Sequence, residues 1–123
     1  FPISVAKVSD EDKTRYPEQD PGSVYGRTVF EGAYFYGIDL EKGFTLKGTV
    51  SHIDPKVFEG NEYGYGSDTI NKRISRIISI GDYLYTISLA HIKALAIATI
   101  QEVHALDVAV DKDMYGDVVP LLQ

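Results

Sequence analysis

Three histidines, no cysteine and several acidic pairs set the chemistry open to this 123-residue chain. Without cysteine there can be no disulfide, no thiolate nucleophile and no Cys-ligated zinc. His52, His91 and His104 lie far apart, and none belongs to a His-x-His or His-Glu-x-x-His pattern. Zinc needs convergent ligands, so these histidines are expected to be surface or half-buried side chains. The run Asp111-Lys112-Asp113-Met114-Tyr115-Gly116-Asp117 has a D-x-D start and a glycine at the sixth position, as calcium loops do. Tyr115 at the fifth position and Leu122 at the twelfth break that pattern. A solvated turn is therefore preferred, and Asp111, Asp113 and Asp117 stand as the one metal candidate, for calcium. A hydrolase needs a nucleophile, a base and an orienting acid. There is no G-x-S-x-G elbow, and the acid pairs Glu11-Asp12 and Asp111/Asp113 lie in segments that read as mobile. No catalytic residue is assigned.

Binding chemistry is better represented. The stretch Glu59-Gly60-Asn61-Glu62-Tyr63-Gly64-Tyr65-Gly66-Ser67-Asp68 places Tyr63 and Tyr65 on a glycine frame. Aromatics so mounted give contact area at low entropic cost, which makes this the binding-loop candidate. An insertion without a partner fits the same composition. The glycines are not a phosphate cradle, because no strand–loop–helix context surrounds them. Lys72, Arg73 and Arg76 form too short a basic run for nucleic acid and are expected to pair with acids.

Composition narrows the partners further. Twelve Lys+Arg against 18 Asp+Glu give a formal net charge of −6, and the hydrophobic fraction is 44%. That apolar content can build a core, while the acidic balance disfavours nucleic acid and anionic membranes. No apolar stretch reaches the roughly 18–20 residues of a membrane span. The chain begins at Phe1 and not at Met, which suggests a processed end or part of a longer protein.

The elements that must position these groups read as strands. Pro2 to Val8 is a β-branched run, and residues 9–23, rich in acids and proline, read as an exposed loop. Strands are predicted over Val24 to Phe30, Ala33 to Asp39 and Phe44 to Ile53, with turns at Glu31-Gly32 and at Leu40 to Gly43. After a loop over residues 54–70, strands return at Ile74 to Ile80 and Tyr83 to Ser88, joined by a Gly81-Asp82 hairpin turn. Ile92 to Ile97 and Glu102 to Val110 complete the pattern. The alanines between Ile92 and Leu106 also suit a helix. A turn is due at Ala98 to Gln101, which favours two strands.

An internal repeat supports that preference. Residues 32–40, GAYFYGIDL, match residues 81–89, GDYLYTISL, at five of nine positions with an offset of 49. Repeats of roughly 40–50 residues made of short strands mark β-propellers, whose blades are four-stranded antiparallel sheets. Tyr34, Tyr36 and Ile38 would share one strand face, as would Tyr83, Tyr85 and Ile87, and pack against a neighbouring blade.

The segment RISRIISIGDYLYTISLAHIKALAIATIQEVHALDV resembles the closing segment of the secreted C-terminal β-propeller domain family of archaea and bacteria. FEGAYFYGIDLEKGFTLKGTVSH and FPISVAK resemble the segments before it, so the likeness runs from Phe1 to about Val110. Leu89-Ala90-His91 departs from the family's more polar turn residues, and the alanines at 94, 96 and 98 stand where Asp or Asn is common in it. The resemblance implies export or surface anchoring and lends almost no mechanism.

Together these readings predict an all-β chain of about two antiparallel blades, a fragment of a larger propeller. Residues 1–53 would form one blade, 54–72 a loop, 73–110 a second blade and 111–123 a tail. The expected role is non-catalytic binding or scaffolding of a protein or carbohydrate ligand. The alternative is part of a secreted hydrolase completed by missing blades or another subunit. Propellers need about 4–8 blades, so two should associate with further blades of the same protein or with copies of themselves.

Overall fold

A computed structural model describes residues 1–15, 17–18, 20–59 and 67–108. Strands β1 (Pro2–Lys7), β2 (Arg27–Asp39) and β3 (Gly43–Val50) form one antiparallel sheet in the order β1-β2-β3. Strands β4 (Arg76–Ile80), β5 (Tyr83–Ile87), β6 (His91–Ala96) and β7 (Gln101–Asp107) form a second, in sequence order. Among the described residues, helices are confined to α1 (Asp10–Arg15), α2 (Ser67–Ile70) and two 3₁₀ turns, Pro21–Ser23 and Pro55–Phe58. The fold is all-β and antiparallel, as the alternating β-branched and aromatic runs predict.

The turn chemistry explains the strand ends. In the β2–β3 turn, Asp39 Oδ1 accepts the amides of Glu41 and Lys42 at 2.8 and 2.9 Å, and Gly43 closes the turn at φ +71°. Gly81 opens the β4–β5 hairpin at φ +57°, a conformation glycine reaches without steric cost. Residues 92–106 are two strands and not a helix. Ala94 pairs with Tyr85 on one side and His104 on the other, so the alanines lie flat between larger neighbours. An extra residue on β7 shifts the register between Ala94 and Leu95.

Two expectations are corrected. The Glu31-Gly32 pair is not a turn; β2 runs unbroken through it, with Glu31 opposite Ser4 and Gly32 opposite Ile3. A side chain at Gly32 would collide with the Val50 carbonyl oxygen and stand 2.7 Å from Cζ of Phe30. This glycine serves close approach, whereas its repeat counterpart Gly81 serves a bend. Likewise, residues 9–23 are not wholly an exposed loop. Ser9 and Asp12 form a reciprocal cap on α1: the Ser9 amide and hydroxyl donate to Asp12 Oδ2 at 3.0 and 2.7 Å, and the Asp12 amide donates to Ser9 Oγ at 3.1 Å. Asp12 is buried, and its Oδ1 lies 2.7 Å from Nη2 of Arg27, which ties the helix to the start of β2.

Ala33, Ile53, Ile74 and Leu95 are buried, together with His52, Thr86 and Ser88, whereas Ala94, opposite Tyr85, is buried on the other face of the second sheet. Gly48 of β3 approaches Ile100, in the turn between β6 and β7.

Candidate functional site

Tyr63 and Tyr65, and with them Asp111, Asp113 and Asp117, lie outside the described residues. The described residues offer two other features, an aromatic sheet face and a histidine joint.

Alternation along β2 sends Tyr34, Tyr36 and Ile38 to one side and Glu31, Ala33 and Phe35 to the other. On the tyrosine side the rings touch in series. Phe30 and Tyr34 are 5.3 Å apart, Tyr34 and Tyr36 6.3 Å, and Phe1 stacks on Tyr36 at 5.8 Å with an interplanar angle of 5°. Phe44, across the ladder, meets Tyr36 edge-on at 6.4 Å. Leu46 sits opposite Tyr36 and Phe44 opposite Ile38, because an extra residue on β3 restores them to this face. The surface so made is open: Ile38 is 76% exposed and Phe44 74%. In β5, Thr86 points to the joint with the first sheet, so Tyr83, Tyr85 and Ile87 point away from it. Neither set of repeat tyrosines packs between the two sheets of this chain.

The joint is built on residues 51–53, just after β3. Ser51 Oγ lies 2.6 Å from the Glu31 carbonyl oxygen, to which it donates, and accepts the Ile53 amide at 3.0 Å. This bend carries His52 into the second sheet. His52 Nε2 lies 2.8 Å from Thr86 Oγ1, and Nδ1 lies 2.9 Å from Ser88 Oγ. Both residues belong to β5 or the turn that follows it. Ser88 Oγ also accepts the His91 amide at 3.1 Å and lies 3.0 Å from the His91 carbonyl oxygen.

One assignment of protons satisfies every group. Ser88 donates to the His91 carbonyl, His52 Nδ1–H donates to Ser88, and the Thr86 hydroxyl donates to His52 Nε2. The His91 ring sits edge-on to that of His52 at 5.1 Å, and its Nδ1 lies 2.6 Å from Asp107 Oδ1. Beside it, Lys93 Nζ pairs with Glu102 Oε2 at 2.8 Å. Burial pushes the His52 imidazole down to about 4, with His91 and Lys93 adding to that push and Glu102 opposing it.

The sequence sets the histidines apart, and the structure brings two of them ring to ring. His52 is buried and not a surface or half-buried group; His104, on β7, is exposed. Nothing local in the sequence marks the joint, since His52 meets partners 34 and 36 residues away. The Ser88–His52 contact resembles a nucleophile beside a base. Yet Ser88 Oγ is sheathed by the His91 backbone, so the arrangement fixes structure. Arg73 meets an acid as expected, its Nε lying 3.7 Å from Glu31 Oε1. The acid pair Glu11-Asp12, read as mobile, has Asp12 locked against Arg27. Among the described residues, no group of three or more His, Asp or Glu side chains converges to hold a metal. No helix among them is long and apolar enough to cross a membrane.

Neither a curated protein nor a solved structure matches the chain. The family model described as beta propeller domain matches residues 1–100. Antiparallel sheets carrying copies of one motif are consistent with that match, the second sheet having the four strands of a blade and the first three, and the chain belongs to the beta propeller domain family.

Proposed function

We propose that the chain supplies two consecutive blades, residues 1–53 and 73–110, of a larger secreted or cell-surface propeller. In this reading it has a non-catalytic role as a scaffold for a protein or carbohydrate ligand. The observation that carries it is the open face of Phe1, Tyr34, Tyr36, Ile38, Phe44 and Leu46. Contiguous apolar surface of this kind is a contact site in soluble proteins. In a propeller it meets the next blade, supplied by the same protein or by a second copy. The placement outside the cell rests on the resemblance to the secreted family, and Tyr63 and Tyr65 are the proposed ligand contacts on the intervening loop.

Light scattering of the full chain over a rising concentration series tests the reading. Association is expected, and the double variant Ile38→Ser, Phe44→Ser should stay monomeric with its circular dichroism unchanged. A clean wild-type monomer at high concentration would remove the basis for a blade-docking face.

A further inference from the structure

His52, just after β3, bonds Thr86 and Ser88 of the second sheet through both ring nitrogens, and its bonding is matched to one protonation state. We propose that the joint between the two sheets is acid-labile, with His52 as its trigger: it is closed while the imidazole carries one proton and opens when it takes a second. The inference is independent of any binding role.

Counting donors and acceptors gives the reason. In the neutral joint Thr86 donates to Nε2 and Nδ1 donates to Ser88. A second proton makes Nε2 a donor as well, so the Thr86 hydroxyl must turn its hydrogen elsewhere. Thr86 is fully buried, and an unpaired hydroxyl there is costly.

Charge acts in the same direction. From β6, His91 lies ring to ring with His52 and Lys93 stands two residues on. From β7 come Glu102 and Asp107, engaged with Lys93 and His91 respectively. The His91 ring, 5.1 Å from that of His52, and Lys93 both disfavour a second proton on His52, so a cationic His52 is repelled from this joint. A further charged contact across the joint pairs Glu31 Oε1 with Arg73 Nε at 3.7 Å. Opening is the route by which a cationic His52 regains water.

Proton-coupled ¹⁵N NMR of the histidine rings in the full chain, followed through acid titration, tests this. His52 should titrate well below the ordinary 6.5. Nuclear Overhauser effects between its ring and the Thr86 methyl should vanish in the same transition, while cross-strand effects within each sheet persist. His91→Gln removes a neighbouring positive charge and should move the transition to higher pH. His52→Gln keeps a donor and an acceptor but takes no proton, and should abolish it. If that variant does not fold, the wild type and His91→Gln decide. Three results would each overturn the proposal: ring titration at the ordinary value, a ring-to-methyl effect that survives titration, or cross-strand effects that vanish at the same midpoint.

Discussion

Gly48 of β3 lies directly against Ile100 in the β6–β7 turn, so that a Cβ added at Gly48 would stand 2.8 Å from Ile100 Cγ2. Ile100 itself has φ +53°, a left-handed conformation that β-branched residues rarely adopt. The two features belong together, since the tight fit holds the strained residue in place. Gly48→Ala should destabilise the chain by about 1–3 kcal/mol through overpacking. Most of that cost should disappear in an Ile100→Gly background, where the colliding side chain is gone. A double-mutant cycle of urea unfolding measures the coupling. Costs that simply add would mean the contact is not what limits position 48.

The two glycines aligned by the repeat should respond differently to substitution. Gly81, at φ +57° with open space around its Cβ direction, loses only backbone freedom. Gly81→Ala should cost about 1 kcal/mol, and Gly81→Asn less, because asparagine tolerates that region. Gly32 is confined by the Val50 carbonyl and the Phe30 ring. Gly32→Ala should exceed both by about 1–3 kcal/mol, read as a lower denaturation midpoint. Equal effects at the two positions would argue that both serve a bend.

That contrast shows where sequence reading succeeds and where it stops. Gly81-Asp82 sits between two short alternating runs that pair with each other directly across it, so its turn is legible locally. Glu31-Gly32 has the same local appearance, yet β1 and β3 pair along both halves of β2 and hold it straight. The second sheet follows sequence order and was legible almost strand by strand. Helix α1 had a local signal in its Ser9-x-x-Asp12 cap, outweighed by the proline- and acid-rich composition around it, whereas its tie to Arg27, fifteen positions beyond Asp12, could not be read locally. The aromatic face was visible as Tyr34, Tyr36 and Ile38, but its exposure depends on which side each sheet turns to the other. The histidine joint could not be read at all, since its partners meet only once both sheets exist.

The Asp12 clamp makes a pH prediction. Hydrogen bonds from the Ser9 side chain and backbone, and then Arg27, hold the Asp12 carboxyl below the ordinary 3.8. A depressed folded value means that the unfolded chain takes up the proton first. The stabilisation is therefore complete above about pH 4 and lost as pH falls further. Asp12→Asn should lower the unfolding midpoint at neutral pH and flatten its fall in strong acid. Ser9→Ala should raise the carboxyl's titration more than Arg27→Met does, which carboxyl ¹³C NMR can follow. The reverse order would make the ion pair, and not the cap, the main anchor of α1.

Thr86→Val keeps the shape of the side chain and removes the hydroxyl that donates to His52 Nε2. A buried ring nitrogen without a partner should cost about 1–3 kcal/mol at neutral pH. Thr86→Ser retains the hydroxyl and should cost less. Chemical denaturation of the three proteins at one pH gives the comparison, and a neutral Thr86→Val would show that the hydroxyl contributes nothing to the joint.

Global stability should also follow the His52 proton. Its folded value, about 4, lies below the ordinary 6.5 of an unfolded histidine. Above about 6.5 neither state binds the proton and the full stabilisation is present. Between about 6.5 and 4 the unfolded chain binds it and the folded chain does not, so stability falls as pH falls. Below about 4 both states carry it and the dependence flattens. The full difference is on the order of 3 kcal/mol, an upper bound because an opened joint lets the imidazole reach water before the sheets unfold. Urea melts across this window should show the loss in the wild type and a smaller one in His52→Gln. Parallel curves for the two proteins would assign the acid sensitivity to the exposed carboxylates and not to His52.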